Sequence, residues 1–324
     1  MSEKLNENRA GKCRPNQKPD VMKYTKEITY FSADGFASTV RAFTNPQRPH
    51  ADVVLLLPAM GTTAAYYSPF AEALVEAGYH VVTADWRGKG LSIIRAGRNA
   101  DFGYREILHY DFPALFDCVR SEFPKNEIIV YGHSLGGQLG SIYLAAHPEE
   151  QVTGLVQHFS CHCHYKNWDY QSWKMYLWFK TFPWIARLFG YFPGEQVGFA
   201  RREARTFMRD WGYSGTKGKY HPKGTWQAYD SLGHLLTTPI LSFSLEGDQL
   251  APRRGAEHLF GLFPNARVTH RHLPADSGER KPYSHFNWVH QPSLFIQQMK
   301  EWRGSYTPEV EEEVELPEDC LMEF

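Results

Sequence analysis

The chain has 324 residues, of which 42% are hydrophobic and 22% charged, a composition typical of folded globular proteins and unlike that of disordered or fibrous chains. Its 35 basic and 36 acidic residues nearly cancel, so the whole-chain charge gives no general attraction for nucleic acid or an anionic membrane.

Five scattered cysteines, an odd number, do not form a disulfide framework, and the polar N-terminus lacks the apolar core of a signal peptide. No apolar run approaches the ~18 residues of a membrane-spanning helix. We therefore expect reduced thiols, a cytoplasmic location, no integral membrane segment, and a small-molecule partner rather than nucleic acid.

The first elements predict a parallel sheet. Residues 1–23 are polar and are expected to form a solvated tail, and residues 27–43 alternate around the turn formers Ala33, Asp34 and Gly35, which predicts a β-hairpin. Short, continuously apolar segments then alternate with segments of helical periodicity, as in strands connected by crossover helices. The strands are predicted at 52–58, 79–84, 128–131 and 152–156, and the helices at 63–77, 101–123 and 135–146.

This alternation stops for residues 161–235 and then resumes with a strand at 239–245, a helix at 252–263, a strand at 266–273 and a helix at 286–302. We therefore expect an α/β core made of residues 24–160 and 236–304, with a mostly parallel eight-stranded sheet and helices on both faces. Residues 161–235 are predicted to form an inserted helical lid. The final segment, 305–324, is predicted to be an acidic, solvated tail.

A candidate nucleophile lies where one predicted strand meets the next helix. Residues 132–136 read Gly-His-Ser-Leu-Gly, and G-x-S-x-G arises by chance ~0.1 times in a chain of this length, so the strand–turn–helix setting is the stronger signal. Gly132 and Gly136 allow the two backbones to approach closely. We predict that Ser134 is a nucleophile, the alternative being a serine that caps the helix.

A serine nucleophile needs a base, and the base needs a carboxylate to orient it. Asp248 follows the strand at 239–245 and His285 precedes the final helix, so both are expected at the same sheet edge as Ser134. The chain order Ser, Asp, His fits this architecture. Other candidates are Glu246 for the acid and His270, His272 and His290 for the base.

Together with Asp-Trp-Arg-Gly-Lys-Gly-Leu-Ser at 85–92 and Gly-Asp-Gln-Leu-Ala-Pro at 247–252, these features resemble the α/β-hydrolase superfamily over residues 24–304. The chain is most similar to lid-bearing serine hydrolases grouped with monoacylglycerol lipases and serine aminopeptidases. This resemblance implies an oxyanion hole made by the backbone N–H groups of Met60 and Leu135. The chain has Pro-Ala-Met-Gly at 58–61 where many relatives have His-Gly-x-Gly, but a backbone donor does not need that histidine.

The predicted lid is rich in aromatic residues. We expect Trp168, Trp173 and Trp178, together with Met60, to line a substrate site that excludes water from an apolar acyl or aromatic group. One alternative is that the aromatic residues only pack the lid onto the core. Another is that some of them contact a membrane interface.

Residues 161–164 read Cys-His-Cys-His, which are the residue types of a zinc site. Structural zinc sites commonly pair ligands two to four residues apart and need a second pair elsewhere, and no matching pair is evident. We therefore predict that the chain uses no metal and no cofactor.

Taken together, the sequence predicts a serine hydrolase that cleaves an acyl ester, thioester or amide of a small, largely apolar substrate through a Ser-His-Asp triad and an acyl-enzyme intermediate. Two alternatives remain open: an acyltransferase of the same fold and a non-catalytic binding protein on the same scaffold. The sequence does not specify the natural substrate or the oligomeric state.

Overall fold

A computed structural model of the protein describes residues 24–226 and 228–306. The predicted N-terminal tail and nearly all of the predicted acidic tail lie outside the described residues. The strands are β1 (Tyr24–Phe31), β2 (Ala37–Thr44), β3 (Val53–Leu57), β4 (His80–Ala84), β5 (Ile128–His133), β6 (Gly154–His158), β7 (Tyr191–Pro193), β8 (Arg202–Ala204), β9 (Ile240–Leu245) and β10 (Val268–Leu273).

The α-helices are α1 (Ser68–Glu76), α2 (Tyr104–Glu106), α3 (Phe112–Glu122), α4 (Leu135–Ala146), α5 (Ser172–Phe189), α6 (Gly194–Val197), α7 (Arg205–Lys217), α8 (Arg253–Phe260) and α9 (Ser293–Gly304). In the part of the chain that the structure describes, six 3₁₀ segments accompany them, at Ala64–Tyr67, Pro148–Glu150, Tyr165–Gln171, Tyr229–Leu235, Ala275–Ser277 and Asn287–His290.

The predicted eight-stranded, mostly parallel sheet is confirmed. Its strand order is β1-β2-β4-β3-β5-β6-β9-β10. The β1–β2 hairpin and the β2–β4 pair are antiparallel, and the other pairs are parallel. Strands β3, β4, β5, β6 and β9 are buried along their whole lengths, as expected where helices cover both faces of a parallel sheet.

Two predicted helices are interrupted, each beside a proline. The helix expected at 101–123 starts at Tyr104 and contains a π-helical segment, Ile107–Asp111, which ends two residues before Pro113. The helix expected at 286–302 is a 3₁₀ turn followed by α9, which begins after Pro292. Proline has no N–H to donate to the preceding turn, so regular α-helical bonding cannot run through either position.

The segment between β6 and β9, which we call the cap (residues 161–235), contains α5, α6, α7 and the β7–β8 hairpin. The helices α5 and α7 pack closely because α7 has glycines, which have no side chain, where it contacts α5. A Cβ atom at Gly215 would lie 2.1 Å from the Phe179 ring, and one at Gly212 would lie 2.5 Å from the Phe179 carbonyl oxygen. The contact is filled by aromatic pairs such as Phe179 with Trp211, whose ring centroids are 4.3 Å apart.

The cap is joined to the core by polar contacts as well as by packing. Lys89, in the loop after β4, forms a buried ion pair of 2.8 Å with Glu203 of β8. Asp210 of α7 accepts a hydrogen bond from the backbone N–H of Tyr104, and Trp168 donates one from Nε1 to the carbonyl oxygen of Gln249. Among the residues that the structure describes, no helix is long and apolar enough to cross a membrane.

Candidate active site

Ser134 lies on the turn between β5 and α4. Its backbone has φ 53° and ψ −114°, and residues other than glycine rarely adopt a positive φ of this size. Its N–H donates to the carbonyl oxygen of His158 at 2.9 Å, which holds the strained turn against the end of β6. Strain of this kind costs of order 1–3 kcal/mol and is concentrated at functional sites.

Glycines are required around this turn because other backbone segments pass within van der Waals distance. A Cβ atom at Gly132 would lie 2.3 Å from the nitrogen of Gly137, and one at Gly136 would lie 2.2 Å from the carbonyl oxygen of Leu57. A Cβ atom at Gly137 would lie 2.1 Å from the Ser160 hydroxyl. The crowding at Gly132 and Gly136 is the one expected from the motif, whereas the third glycine was not singled out.

Asp248 and His285 are joined by a buried hydrogen bond. His285 Nδ1 donates to Asp248 Oδ2 at 2.7 Å, and the Asp248 side chain is 2% exposed. The other carboxylate oxygen accepts from the N–H groups of Leu250 and Ala251 at 2.9 and 3.2 Å. Burial opposes ionisation of Asp248, but the charge and hydrogen bond of His285 and the two amides outweigh it, so the pKa of Asp248 lies below its ordinary value.

Ser134 and His285 both line one cavity of about 220 Å³ beneath the cap. Because His285 Nδ1 is bonded to Asp248, its Nε2 is the ring nitrogen that remains to accept a proton. Met60 and Leu135, whose backbone N–H groups are the predicted oxyanion donors, line the same cavity. Leu135 is the first residue of α4, so the positive end of that helix dipole lies at the cavity.

The turn that carries Met60 is held from three sides. The carbonyl oxygen of Pro58 accepts from Trp86 Nε1 at 2.9 Å, and the N–H of Ala59 donates to the Tyr67 hydroxyl at 2.8 Å. Gly61 has φ +76°, and a Cβ atom there would lie 2.9 Å from Ala200 Cα in the cap. The cap therefore packs directly on the turn that would supply an oxyanion donor.

His133, whose place beside Ser134 in the sequence favours a packing and orienting role over that of a base, connects the turn at Ala59 to the loop that carries His285. Its Nδ1 lies 2.8 Å from the Tyr67 hydroxyl, and its Nε2 donates to the carbonyl oxygen of His285 at 2.9 Å. Burial, and next the nearby His285, lower the pKa of His133 well below its ordinary value, so this link is made by a neutral ring. No sequence motif signals this contact, because it depends on how three loops meet.

Two of the three tryptophans expected at the substrate site line the cavity. These are Trp168 and Trp178, beside Met175 and Phe179 of α5. Trp173 is not brought to the cavity: it is 67% exposed. It lies two residues before Met175, so helical geometry turns it to the opposite side of α5 from that buried residue.

The rival histidines and the rival acid lie away from this site. His270 Nε2 and His272 Nδ1 each lie 2.8 Å from the Ser244 hydroxyl, and Glu246 is exposed. The two cysteines of the Cys-His-Cys-His segment are buried and line the cavity. Within residues 24–226 and 228–306, no group of three or more His, Cys, Asp and Glu side chains is arranged to hold a metal ion.

The cavity wall is uncharged. Among the described residues that line it, none is Asp, Glu, Lys or Arg. Three of the five acids in the cap have partners elsewhere: Glu203 pairs with Lys89, Asp210 accepts backbone N–H groups, and Asp169 pairs with Arg254 at the surface. The site thus offers an apolar wall and no fixed charge for a charged substrate group.

A family model and a curated relative each match part of this chain. The family model described as serine aminopeptidase, S33, matches residues 48–191. The RutD protein of Variovorax paradoxus (strain S110), whose name assigns it to carbamate hydrolysis, is 32% identical over 105 residues. That match covers 32% of this chain and about a third, 36%, of the relative.

Solved structures share the fold at low sequence identity. The esterase RhEst1 from Rhodococcus sp. ECU1013 aligns with a TM-score of 0.54 and 18% identity, over 87% of this chain and 99% of that one. Est1E from Butyrivibrio proteoclasticus, solved with bound ferulic acid, aligns with a TM-score of 0.57 and 15% identity, over 86% and 98%. These structures confirm the predicted α/β-hydrolase fold.

Proposed function

We propose that this chain is a serine hydrolase of the α/β-hydrolase superfamily that cleaves esters of small, apolar acyl groups, as the partial family match and the shared fold support. The observation that carries the proposal is a cavity of about 220 Å³ that is lined by Ser134 and His285 and, among the described residues, by no Asp, Glu, Lys or Arg. A fixed acid would suit a substrate with a free amine, as in peptide cleavage from an amino terminus, and none lines the described cavity wall.

In the proposed reaction, the Ser134 hydroxyl attacks the acyl carbonyl carbon while His285 Nε2 takes the hydroxyl proton. Asp248, held ionised by its amide and imidazole partners, fixes the His285 tautomer and stabilises the imidazolium. The N–H groups of Met60 and Leu135 stabilise the oxyanion. His285 then gives the proton to the leaving alkoxide, and the bond between the acyl carbon and that oxygen breaks.

Water completes the cycle. It attacks the acyl-enzyme, His285 accepts its proton, and the same proton returns to the Ser134 oxygen as the carboxylic acid leaves. The strained Ser134 backbone and the packed glycines hold the hydroxyl in place before the substrate binds.

The cavity volume sets the expected acyl size. A buried apolar cavity of ~150 Å³ accepts benzene, so about 220 Å³ suits a phenyl ring or a short alkyl chain. Met60, Met175 and Trp178 give this space adaptable apolar walls. We therefore expect the specificity constant to be highest for short acyl chains.

The test is turnover of p-nitrophenyl acetate, butyrate, octanoate and benzoate, with amino-acid p-nitroanilides as the competing substrate class. We expect ester hydrolysis with a preference for the short and aromatic acyl groups, and no turnover of the anilides. The rival histidines give a matched pair of variants: His285→Ala abolishes turnover and His290→Ala, at an exposed position, preserves it.

Three results would overturn the proposal. One is equal turnover by wild type and Ser134→Ala, and another is anilide turnover that exceeds ester turnover. The third is transfer of the acyl group to an added alcohol with no hydrolysis in its absence, which would assign the chain to the acyltransferases.

A further inference from the structure

The cap helix α5 is apolar on two sides, and only one of them is buried. Its inner side packs Met175, Phe179, Phe182 and Ala186 into the protein. An apolar helix face normally packs against another element, so an outer side that is also apolar needs a partner.

The outer face of α5 consists of Trp173, Tyr176, Leu177, Lys180, Trp184, Arg187 and Leu188, all of them exposed. At 3.6 residues per turn, its members 173, 177, 184 and 188 fall within an arc of about 60°, so they form one stripe along the helix. Trp184 is 67% and Leu188 74% exposed. A stripe of large exposed apolar side chains marks an interaction surface rather than scattered surface variation.

Basic side chains accompany the stripe. The α5 sequence holds Lys174, Lys180 and Arg187 and no acidic residue. Arg187 lies over the Trp184 ring at 5.5 Å. Between α5 and α7 runs an open groove lined by five basic residues, together with one acid, Asp101, which pairs with Arg205. The basic residues are Lys180, Arg187, Arg205, Arg209 and Lys223.

The charge of the whole cap follows the same trend. Residues 161–235 contain 11 Lys and Arg and 5 Asp and Glu residues, although the complete chain has 35 and 36. The rest of the chain therefore carries the excess of acid. A second copy of this chain, docked symmetrically, would bring the same basic face against itself, which disfavours self-association.

We propose that the outer face of α5 binds the surface of an anionic phospholipid bilayer. Tryptophan and leucine enter the boundary between headgroups and acyl chains, while lysine and arginine meet the headgroup phosphates. The helix lies flat on the membrane. Its inner side lines the cavity at Met175, Trp178 and Phe179, so docking places the cavity one helix diameter from the lipid. The proposal rests on the exposed surface and does not depend on the proposed ester hydrolysis.

Co-sedimentation of the full chain with vesicles tests this proposal. We expect binding to phosphatidylcholine vesicles that contain one-third phosphatidylglycerol, and binding weaker by about tenfold or more to phosphatidylcholine alone or at high salt, because each basic residue near an anionic surface adds several-fold to the partition constant.

Two variants separate the apolar and electrostatic contributions. Leu177→Ser/Trp184→Ser/Leu188→Ser removes apolar side chains from the stripe, and Lys180→Glu/Arg187→Glu reverses two charges on the same face. Each is expected to lower the partition constant by about tenfold or more while the melting temperature stays unchanged, since these side chains are exposed. The matched controls are Phe31→Ser, at an apolar side chain that is 69% exposed on the core, and Arg271→Glu/Lys300→Glu, at two exposed core positions. They are expected to bind within twofold of wild type.

The proposal is overturned if wild type stays in the supernatant with anionic vesicles, or if the outer-face and core variants bind equally. It is also overturned if light scattering finds a wild-type dimer that the triple serine variant converts to monomers, because the face would then be covered by a second copy. None of these outcomes bears on p-nitrophenyl ester turnover, so failure here is distinguishable from failure of the proposed reaction.

Discussion

The rim that carries Ser134, Asp248 and His285 and the cap that covers it are built in different ways. At the rim, position is fixed by backbone geometry and short polar contacts, such as the 2.7 Å bond between Asp248 and His285 and the crowded glycines around Ser134. In the cap, position depends mainly on aromatic packing, and a few polar contacts such as the buried ion pair between Lys89 and Glu203 join the cap to the core. Polar site geometry requires particular residues at fixed spacings, so short sequence motifs indicate it. Packing depends on many apolar residues that can replace one another, so no short motif indicates it.

This contrast predicts that polar changes at the rim alter chemistry with little effect on folding. The largest expected effect is at Asp248. Asp248→Asn keeps the side-chain shape but favours the wrong His285 tautomer, so we expect kcat for ester hydrolysis to fall by about 10⁴-fold. Thermal unfolding should change little. Steady-state kinetics measures this, with Glu246→Gln, two residues away and exposed, as the control that keeps wild-type kcat.

If Glu246→Gln lost activity and Asp248→Asn kept it, the acid would be assigned to the wrong member of the loop. Unchanged kcat in both variants would show that neither carboxylate orients the base.

Where the cap meets the core, by contrast, a single polar change should affect folding. Lys89→Met leaves Glu203 buried without its partner, and removing one member of a buried ion pair costs about 3–5 kcal/mol. We expect a loss of that size in the free energy of unfolding at pH 7, measured by denaturant titration. Lys89→Met/Glu203→Gln should recover most of it. Equal loss in the single and double variants would mean that packing around Lys89, and not the unpaired carboxylate, is responsible.

Substitutions of the glycines at the rim are expected to lower stability, because they disturb contacts between backbone segments. Gly132→Ala places a Cβ atom 2.3 Å from the Gly137 nitrogen, so we expect a loss of about 3 kcal/mol in unfolding free energy. Gly247→Ala is the matched change: this glycine has φ +72° but nothing lies within 4 Å of the added atom. It should cost only the left-handed strain, about 1–2 kcal/mol. Gly132 does not have a left-handed φ, so a loss no larger than that of Gly247→Ala would show that the neighbouring backbone shifts to accept the added atom and that crowding does not require the glycine.

A smaller effect is expected when the pH is changed, because a buried histidine beneath the rim makes the free energy of unfolding depend on pH. Burial, followed by the neighbouring His133 and His285, lowers the pKa of His158 well below the ordinary histidine value of about 6.5. Below that pH the unfolded chain takes up a proton at residue 158 that the folded protein does not, so the folded state loses stability as pH falls.

Between pH 7.5 and 5.5 this loss amounts to about 1.4 kcal/mol for one histidine. His158→Phe keeps a ring to stack on Trp288, whose centroid lies 3.8 Å away, and removes the titrating group. Denaturant unfolding at the two pH values should therefore show a loss of stability in wild type that exceeds the loss in the variant by that amount. Parallel losses in the two proteins would mean that His158 titrates alike in the folded and unfolded states.

The same contrast explains what could be predicted from the sequence. The eight-stranded sheet, its hairpin and the order of its helices were predictable because continuous apolar strands and turn residues report their own conformation. The breaks before Pro113 and Pro292 were missed because helical periodicity was read through the prolines. The joining of Asp248 to His285 was predictable because parallel strands bring their carboxyl-edge loops together.

The cap resisted prediction for a physical reason. Its aromatic content indicates that many of its side chains are buried. However, α5 carries aromatic residues on both sides, so composition could not distinguish Trp178 at the cavity from Trp173 at the surface. The near-zero charge of the chain also concealed the basic cap, because an average over all residues cancels opposite regions. The contact between His133 and the His285 loop depends on tertiary packing and has no local pattern.

Whether Ser134 is an activated nucleophile can be tested directly by reacting the protein with a fluorophosphonate, followed by intact-mass measurement and peptide mapping. This reagent labels a serine only where a base and an oxyanion site activate it. We expect one adduct per chain, on Ser134. The adduct should be absent in Ser134→Ala and should form far more slowly in Asp248→Asn. An adduct on another serine, or equal labelling of wild type and Ser134→Ala, would contradict it.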